Sequence, residues 1–277
     1  MKRLLSIELQ KIWKNKASRV LTITYFVLLS FIALIASIKF DLGVFKLDLA
    51  EMGIFNFPFI WHFNTYIAVW FKLFLAIIIV SMMANEYSYG TLKQNLIDGM
   101  SKKEFILSKF LVVLLFSLAS TLFIFIMSLT LGFIFSSFTE IGIVFSDLEY
   151  LTAYFVNLVG FFSICLFFGI LVKRSAFALG FLLILYFTEG IIHLLLNWLI
   201  LDNDKVNEII AFLPLQSISN LLVEPFTRLS IIKNIGTQIG VENIKDYSVH
   251  FSNVIIVLVW TAIFMFLSYK IIKKRDL

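Results

Sequence analysis

The chain has 277 residues, of which 60% are hydrophobic and only 15% charged, with a mean hydropathy of +0.96 and a formal net charge of +5. A soluble domain of this size is nearer half apolar and a quarter charged, so the composition excludes an ordinary soluble fold and indicates a membrane protein. The single cysteine, Cys165, excludes an intrachain disulfide and sits in an apolar run, where packing is its expected role.

In chain order, residues 1–19 read as an interfacial amphipathic helix. Leu5, Leu9, Ile12 and Trp13 share one helical face, with Lys2, Lys11 and Lys14 away from its centre. Charge-poor runs follow at about 20–38, 61–84, 110–135, 151–172, 175–201 and 253–269. Each approaches the roughly 20 residues that a helix needs to cross a bilayer. The expected fold is therefore an all-α polytopic membrane protein with six transmembrane helices in one domain. The runs lack the alternation of barrel strands. The first run is too long for a cleaved signal peptide, and no small-residue cleavage site follows it.

Basic residues set the expected orientation. Sixteen of the 23 Lys and Arg fall in segments 1–19, 85–109, 173–174 and 270–275, which this count of spans puts on one side. By the positive-inside rule both termini face the cytoplasm of a cell-membrane protein. The positive charge is thus an orientation signal, and no nucleic-acid partner is expected. The outer connection, about 202–252, contains "NEIIAFLPLQSISNLLVEPF". It reads either as short amphipathic helices on or dipping into the outer surface, or as a small cap packed on itself.

The connection between spans two and three, "EYSYGTLKQNLIDGMSKKEF" (86–105), is too elaborate for a hairpin. Thr91 with Gln94 and Ser101 with Glu104 each match a capping box, and Asp98-Gly99 suits a helix end. The expectation is a short helix near 92–98, with Leu92 and Leu96 on one face. A turn at 99–101 follows, then a second helix running from 102 into span three. Such a helix is either an interfacial rest for the loop or a docking element for a cytoplasmic partner.

The order Glu86, Gly90-Thr91, Leu96, then Ser101-Lys102-Lys103 and Lys109 resembles the permease subunits of ABC-2 type transporters, as does the ending "YKIIKKRDL". The resemblance implies that the short helix is a coupling helix docking on a separate ABC ATPase subunit. Glu86, Tyr89, Gly90, Thr91, Leu92, Leu96, Ser101 and Lys102 would form that coupling region. It implies a second permease chain, in a homodimer or heterodimer, and mostly export. ATP and Mg would be bound by the partner subunit, with no cofactor and no catalytic residue in this chain, which has no G-x-x-x-x-G-K-[ST] loop.

Two ionisable residues lie inside apolar runs: Lys72 in span two, and Glu189 in span five with His193 one turn on. A lone charge at mid-membrane costs roughly 2.5–3.5 kcal/mol on insertion scales. The two depths match, so a Lys72–Glu189 contact is expected, serving as structural glue or gating, or as part of a transport path. The histidines lack metal-ligand spacing, and His62 and His250 fall at outer borders. An ion-gradient-driven secondary transporter using Lys72 and Glu189 is the alternative function. An intramembrane enzyme is the third class, but no H-E-x-x-H or Ser/His nucleophile motif supports it.

Overall fold

The computed structural model describes residues 2–41, 46–47, 52–200, 202–229 and 245–275. It is helical apart from a two-residue antiparallel ladder, in which Phe40 pairs with Leu47 and Asp41 with Lys46. Residues 230–244 of the outer connection lie outside the described residues.

Helix α1 (Lys2–Lys14) ends at Asn15, whose side chain accepts from Ser18 N–H and so caps α2 (Lys16–Ala36). Span two is two helices, α3 (Phe59–Trp70) and α4 (Lys72–Ser88), bent by 46°. This corrects the expectation of one continuous span over 61–84. No proline or glycine marks the break. Phe71 N–H instead turns tightly back to Ala68 O at 3.1 Å, and Lys72 opens the second half.

Helix α5 (Thr91–Ile97) is followed by α6 (Lys102–Phe135), α7 (Ile141–Val144), α8 (Glu149–Val172) and α9 (Ser175–Ile200). Then come α10 (Asn203–Ile210), α11 (Pro214–Ser219), a 3-10 turn at Phe226–Arg228 and α12 (Phe251–Lys274). Five helices are long and apolar enough to cross a membrane, or six if the bent α3–α4 pair is one span. These are the lengths and compositions of a multi-pass membrane protein. At 1.5 Å per residue α6 is about 51 Å long, so it can cross a core of roughly 30 Å and project beyond it.

Helix α8 is the axis of the bundle. It packs against α3, α4, α6, α9, α11 and α12, and nearly all its residues from Tyr150 to Ile170 are buried. Gly160 makes this possible on one side, because a Cβ there would lie 2.6 Å from Val257 of α12. By contrast, α2 and α9 leave most of their apolar surface exposed, which in a bilayer is ordinary lipid-facing surface.

Hydroxyl groups also join the spans. Tyr25, Ser120 and Tyr154, from α2, α6 and α8, form a closed triangle of hydrogen bonds of 2.5, 2.7 and 2.8 Å, all buried. Each hydroxyl there satisfies the others in place of solvent, from which burial separates them.

Candidate functional site

The basic segments gather at one end of the bundle. Arg275, just past α12, donates to Tyr87 Oη of α4 and to the Ile170 and Leu171 carbonyls of α8, while Lys102 donates to the Lys273 and Arg275 carbonyls. Lys173 lies over the Tyr87 ring.

At this end Glu86 is the hub. One carboxylate oxygen accepts from Lys109 Nζ of α6 at 2.6 Å and from Lys11 Nζ of α1 at 2.9 Å. The other accepts from the Thr91 hydroxyl at 2.5 Å, at the start of α5. Lys109 also donates to Glu8 of α1 at 2.5 Å, and Lys11 lies 3.7 Å from Glu8. Two acids and two lysines therefore balance in a cluster where Lys109, Glu8 and Glu86 are buried. Charges so enclosed are tolerable only when paired and hydrogen-bonded, and removing one member leaves its partners stranded. Burial pulls the Lys11 ammonium down, but the Glu86 hydrogen bond and the charges of Glu8 and Glu86 outweigh it, so Lys11 lies above its ordinary 10.5.

The hub fixes the geometry of α5. Gly90 precedes it at φ +68°, a conformation that favours glycine although no neighbour crowds the position. The expected Thr91–Gln94 capping box does not form. Gly90 is the N-cap, and the Thr91 hydroxyl is drawn to the Glu86 carboxylate five residues back. The Ser101–Glu104 box is fully formed, and Gly99 turns the chain at φ +97°. Leu92 is buried and Leu96 packs on the core, whereas Tyr89 and Ile97 are 73% and 75% exposed. Ser101 and Lys102 complete the loop beside the C-terminal carbonyls.

Sequence reasoning missed Glu8, read Lys11 as the polar side of the interfacial helix and an orientation signal, and placed Lys109 in the permease-like residue order without giving it a partner. The turn of α1 accounts for this. Glu8 and Lys11 face the protein, while Trp13, expected on the membrane face with Ile12, is exposed and Ile12 is buried. A cavity of about 380 Å³ lies beside the hub, lined by Lys11, Lys14, Asn85, Glu86, Tyr89 and Thr91 among others.

The expected Lys72–Glu189 contact is not made. Lys72 donates to Asn157 Oδ1 of α8 at 3.0 Å and lies 4.3 Å from the centroid of the Phe161 ring. Glu189 accepts from the backbone N–H groups of Leu215 and Gln216, each at 2.9 Å. Backbone donors at the start of α11 thus replace the lysine as partners of the carboxylate. His193 is exposed on α9 and joins neither group.

His62, expected to solvate or anchor at the outer border, is buried. Its Nε2 lies 2.7 Å from Val223 O and its ring stacks on Tyr150 at 4.2 Å. Arg228 donates to its Nδ1, so Nε2 carries the proton given to Val223. Among the described residues no group of three or more His, Cys, Asp or Glu is placed to hold a metal ion.

Comparison with known sequences adds a family. The family model described as "Protein of unknown function (DUF2705)" matches residues 31–277. "Uncharacterized protein YhcI" of Bacillus subtilis (strain 168) is 43% identical over 63 residues, which is 23% of this chain and 20% of that protein's length. This chain therefore spans only about a fifth of that relative. The family match reaches from within α2 to the C-terminus and takes in Glu86, Lys109 and both intramembrane charges, so the chain belongs to the DUF2705 family, proteins of unknown function.

Proposed function

We propose that the chain is the membrane-spanning permease subunit of an ATP-driven exporter, paired with a second permease chain and coupled through residues 86–105 to a separate cytoplasmic ABC ATPase. In this reading the basic end faces the cytoplasm of the cell membrane. ATP and Mg belong to the partner, and lipid surrounds the spans.

One observation carries the reading: the Glu86 carboxylate joins α1, α5 and α6 while belonging to α4. A push on α5 therefore reaches three longer helices through one buried group, and Lys102 at the start of α6 extends the link to the end of α12. Helix α5 turns Leu92 inward and leaves Lys93, Gln94 and Ile97 outward, with Tyr89 exposed just before it, a mixed polar and apolar surface that a groove on another protein could take. Lys72 and Glu189 have separate partners, which weakens the alternative of an ion-gradient carrier built on that pair.

The test is co-purification of the tagged chain with an ABC ATPase encoded beside it. Ile97→Glu places a charge on the exposed surface of α5 and should reduce ATPase recovery by about tenfold or more, with the thermal midpoint of the permease unchanged. Full recovery with Ile97→Glu, Tyr89→Ala and the two combined would sink the coupling reading.

A further inference from the structure

Lys72 and Glu189 do not touch, yet both act on one element. Helix α11 is only six residues long and packs one face into the bundle, with Pro214, Leu215, Ser217 and Ile218 buried and Gln216 and Ser219 exposed. Its holders give the depth. At 1.5 Å per residue Asn157 is about 12 Å along α8 from Glu149, and Glu189 is about 16 Å along α9 from Ile200. After α9, α10 packs along α9 with its polar residues exposed, and α11 then packs against α8, α9 and α12.

A short helix at membrane depth has a polar accounting problem at each end. Its first N–H and last C=O groups have no partners within the helix, and water is scarce. Pro214 at the first position removes one donor. Glu189 accepts from the next two, those of Leu215 and Gln216, and its negative charge suits the positive end of the helix dipole. Just before the helix, the Phe212 carbonyl accepts from Trp260 Nε1 of α12 at 2.8 Å.

At the other end the Ile218 carbonyl accepts from Asn157 Nδ2 at 2.7 Å, and the Asn220 carbonyl from Asn253 Nδ2 of α12 at 3.4 Å. Lys72 explains the direction of the Asn157 amide. An ammonium can only donate, so the amide oxygen must face Lys72, which turns the NH2 toward Ile218. Lys72 thus holds the C-terminal end of α11 through Asn157, and Glu189 holds the N-terminal end directly.

We infer that residues 212–220, centred on α11, form a re-entrant plug against α8, α9 and α12, that Lys72 and Glu189 are positioning residues clamping its two ends, and that release of this clamp opens that end of the bundle. Four side chains from three spans grip backbone groups on either side of α11, with Lys72 behind one of them. Backbone carbonyls and N–H groups are replaceable by water, so the plug can leave without stranding a buried ion pair. The clamp needs no ATPase, so its test is independent of the exporter reading.

The test uses Ser217→Cys, a fully buried plug position, in a Cys165→Ala background. The protein is placed in lipid nanodiscs, where a charged maleimide reaches both faces. Ser117→Cys, equally buried in α6, is the reference. Glu189→Gln should speed labelling at position 217 by about tenfold, as loss of a charge-assisted contact implies. Lys72→Met should speed it several-fold, with position 117 unlabelled throughout.

The two residues share no hydrogen-bond partner, so in the double variant the accelerations should multiply. A double variant no faster than the faster single would mean a direct pair and overturn the clamp, as would no acceleration in either single. Should Glu189→Gln also expose position 117, Trp260→Phe decides, because it removes the indole N–H while keeping an aromatic ring beside Phe264. Faster labelling at 217 with 117 silent sustains the plug, and no change overturns it.

Discussion

The two ends of the bundle solve the same problem in opposite ways. At the basic end, buried charges meet buried charges: Glu8, Glu86, Lys11 and Lys109 balance among α1, α4 and α6. At the opposite end, Glu189 meets backbone N–H groups and Lys72 meets a neutral amide, and both lead to α11. An ion cluster out of water is hard to take apart, because each member removed strands another. A carboxylate on the start of a short helix is easier to release, since both sides can be rehydrated. In the proposed reading the first end moves as one piece and the second lets go.

The largest effect expected from this contrast is at Lys109. Lys109→Met leaves Glu8 and Glu86 buried with only half-exposed Lys11 to answer them. Breaking a buried pair in this way costs about 3–5 kcal/mol, which should appear as a clear drop in the thermal midpoint in detergent micelles. Adding Glu8→Gln removes one stranded charge, leaves the Lys11–Glu86 pair, and should restore part of the loss. A Lys109→Met loss no larger than that of a single hydroxyl would erase the contrast between the ends.

A smaller effect belongs to the hydroxyl triangle and calibrates the scale. Tyr154→Phe removes one hydroxyl from the Tyr25–Ser120–Tyr154 triangle but leaves the other two hydrogen-bonded to each other. The cost should be about 1 kcal/mol, nearer half that if the unfolded state in the membrane also finds partners. The same thermal measurement checks it.

What was legible in the sequence follows from how local each feature is. Long apolar runs announce spans because length against the bilayer is a one-dimensional signal, so α2, α6, α8, α9 and α12 fall close to their expected places. The Ser101–Glu104 box was readable because both partners lie within one turn. The Thr91 box was misread because Glu86 competes for the hydroxyl, and Glu86 sits there through contacts with Lys109 and Lys11. The break at Phe71 carries no proline or glycine to betray it. Glu8 and Lys109 are 101 residues apart, a distance over which charge pattern says nothing about contact. Lys72 and Glu189 stood out as buried charges, but the partners of Glu189 are backbone groups, which every sequence supplies everywhere.

The smallest effect sharpens the contrast at its releasable end. Glu224, just beyond α11, accepts from Lys245 Nζ at 2.8 Å, from the Thr227 hydroxyl at 2.7 Å and from Phe226 N–H at 2.9 Å, and so holds the 3-10 turn that carries Arg228 to His62. Burial pushes its carboxyl up, but the hydrogen bonds from Lys245 and Thr227 outweigh this and hold it below the ordinary 4.5. A carboxyl lowered in the folded state contributes stability that is complete above its unfolded value. That contribution is lost as pH falls through the folded one. Native protein and Glu224→Gln should therefore differ in thermal midpoint at pH 7 and converge as pH falls below about 4.5. The pair is partly exposed, so the difference should be of the order of a surface ion pair, about 0–1 kcal/mol, and should shrink in high salt. The buried cluster at the basic end should keep its stability against the same salt. If both ends weakened alike, the division between a rigid end and a releasable one would fail.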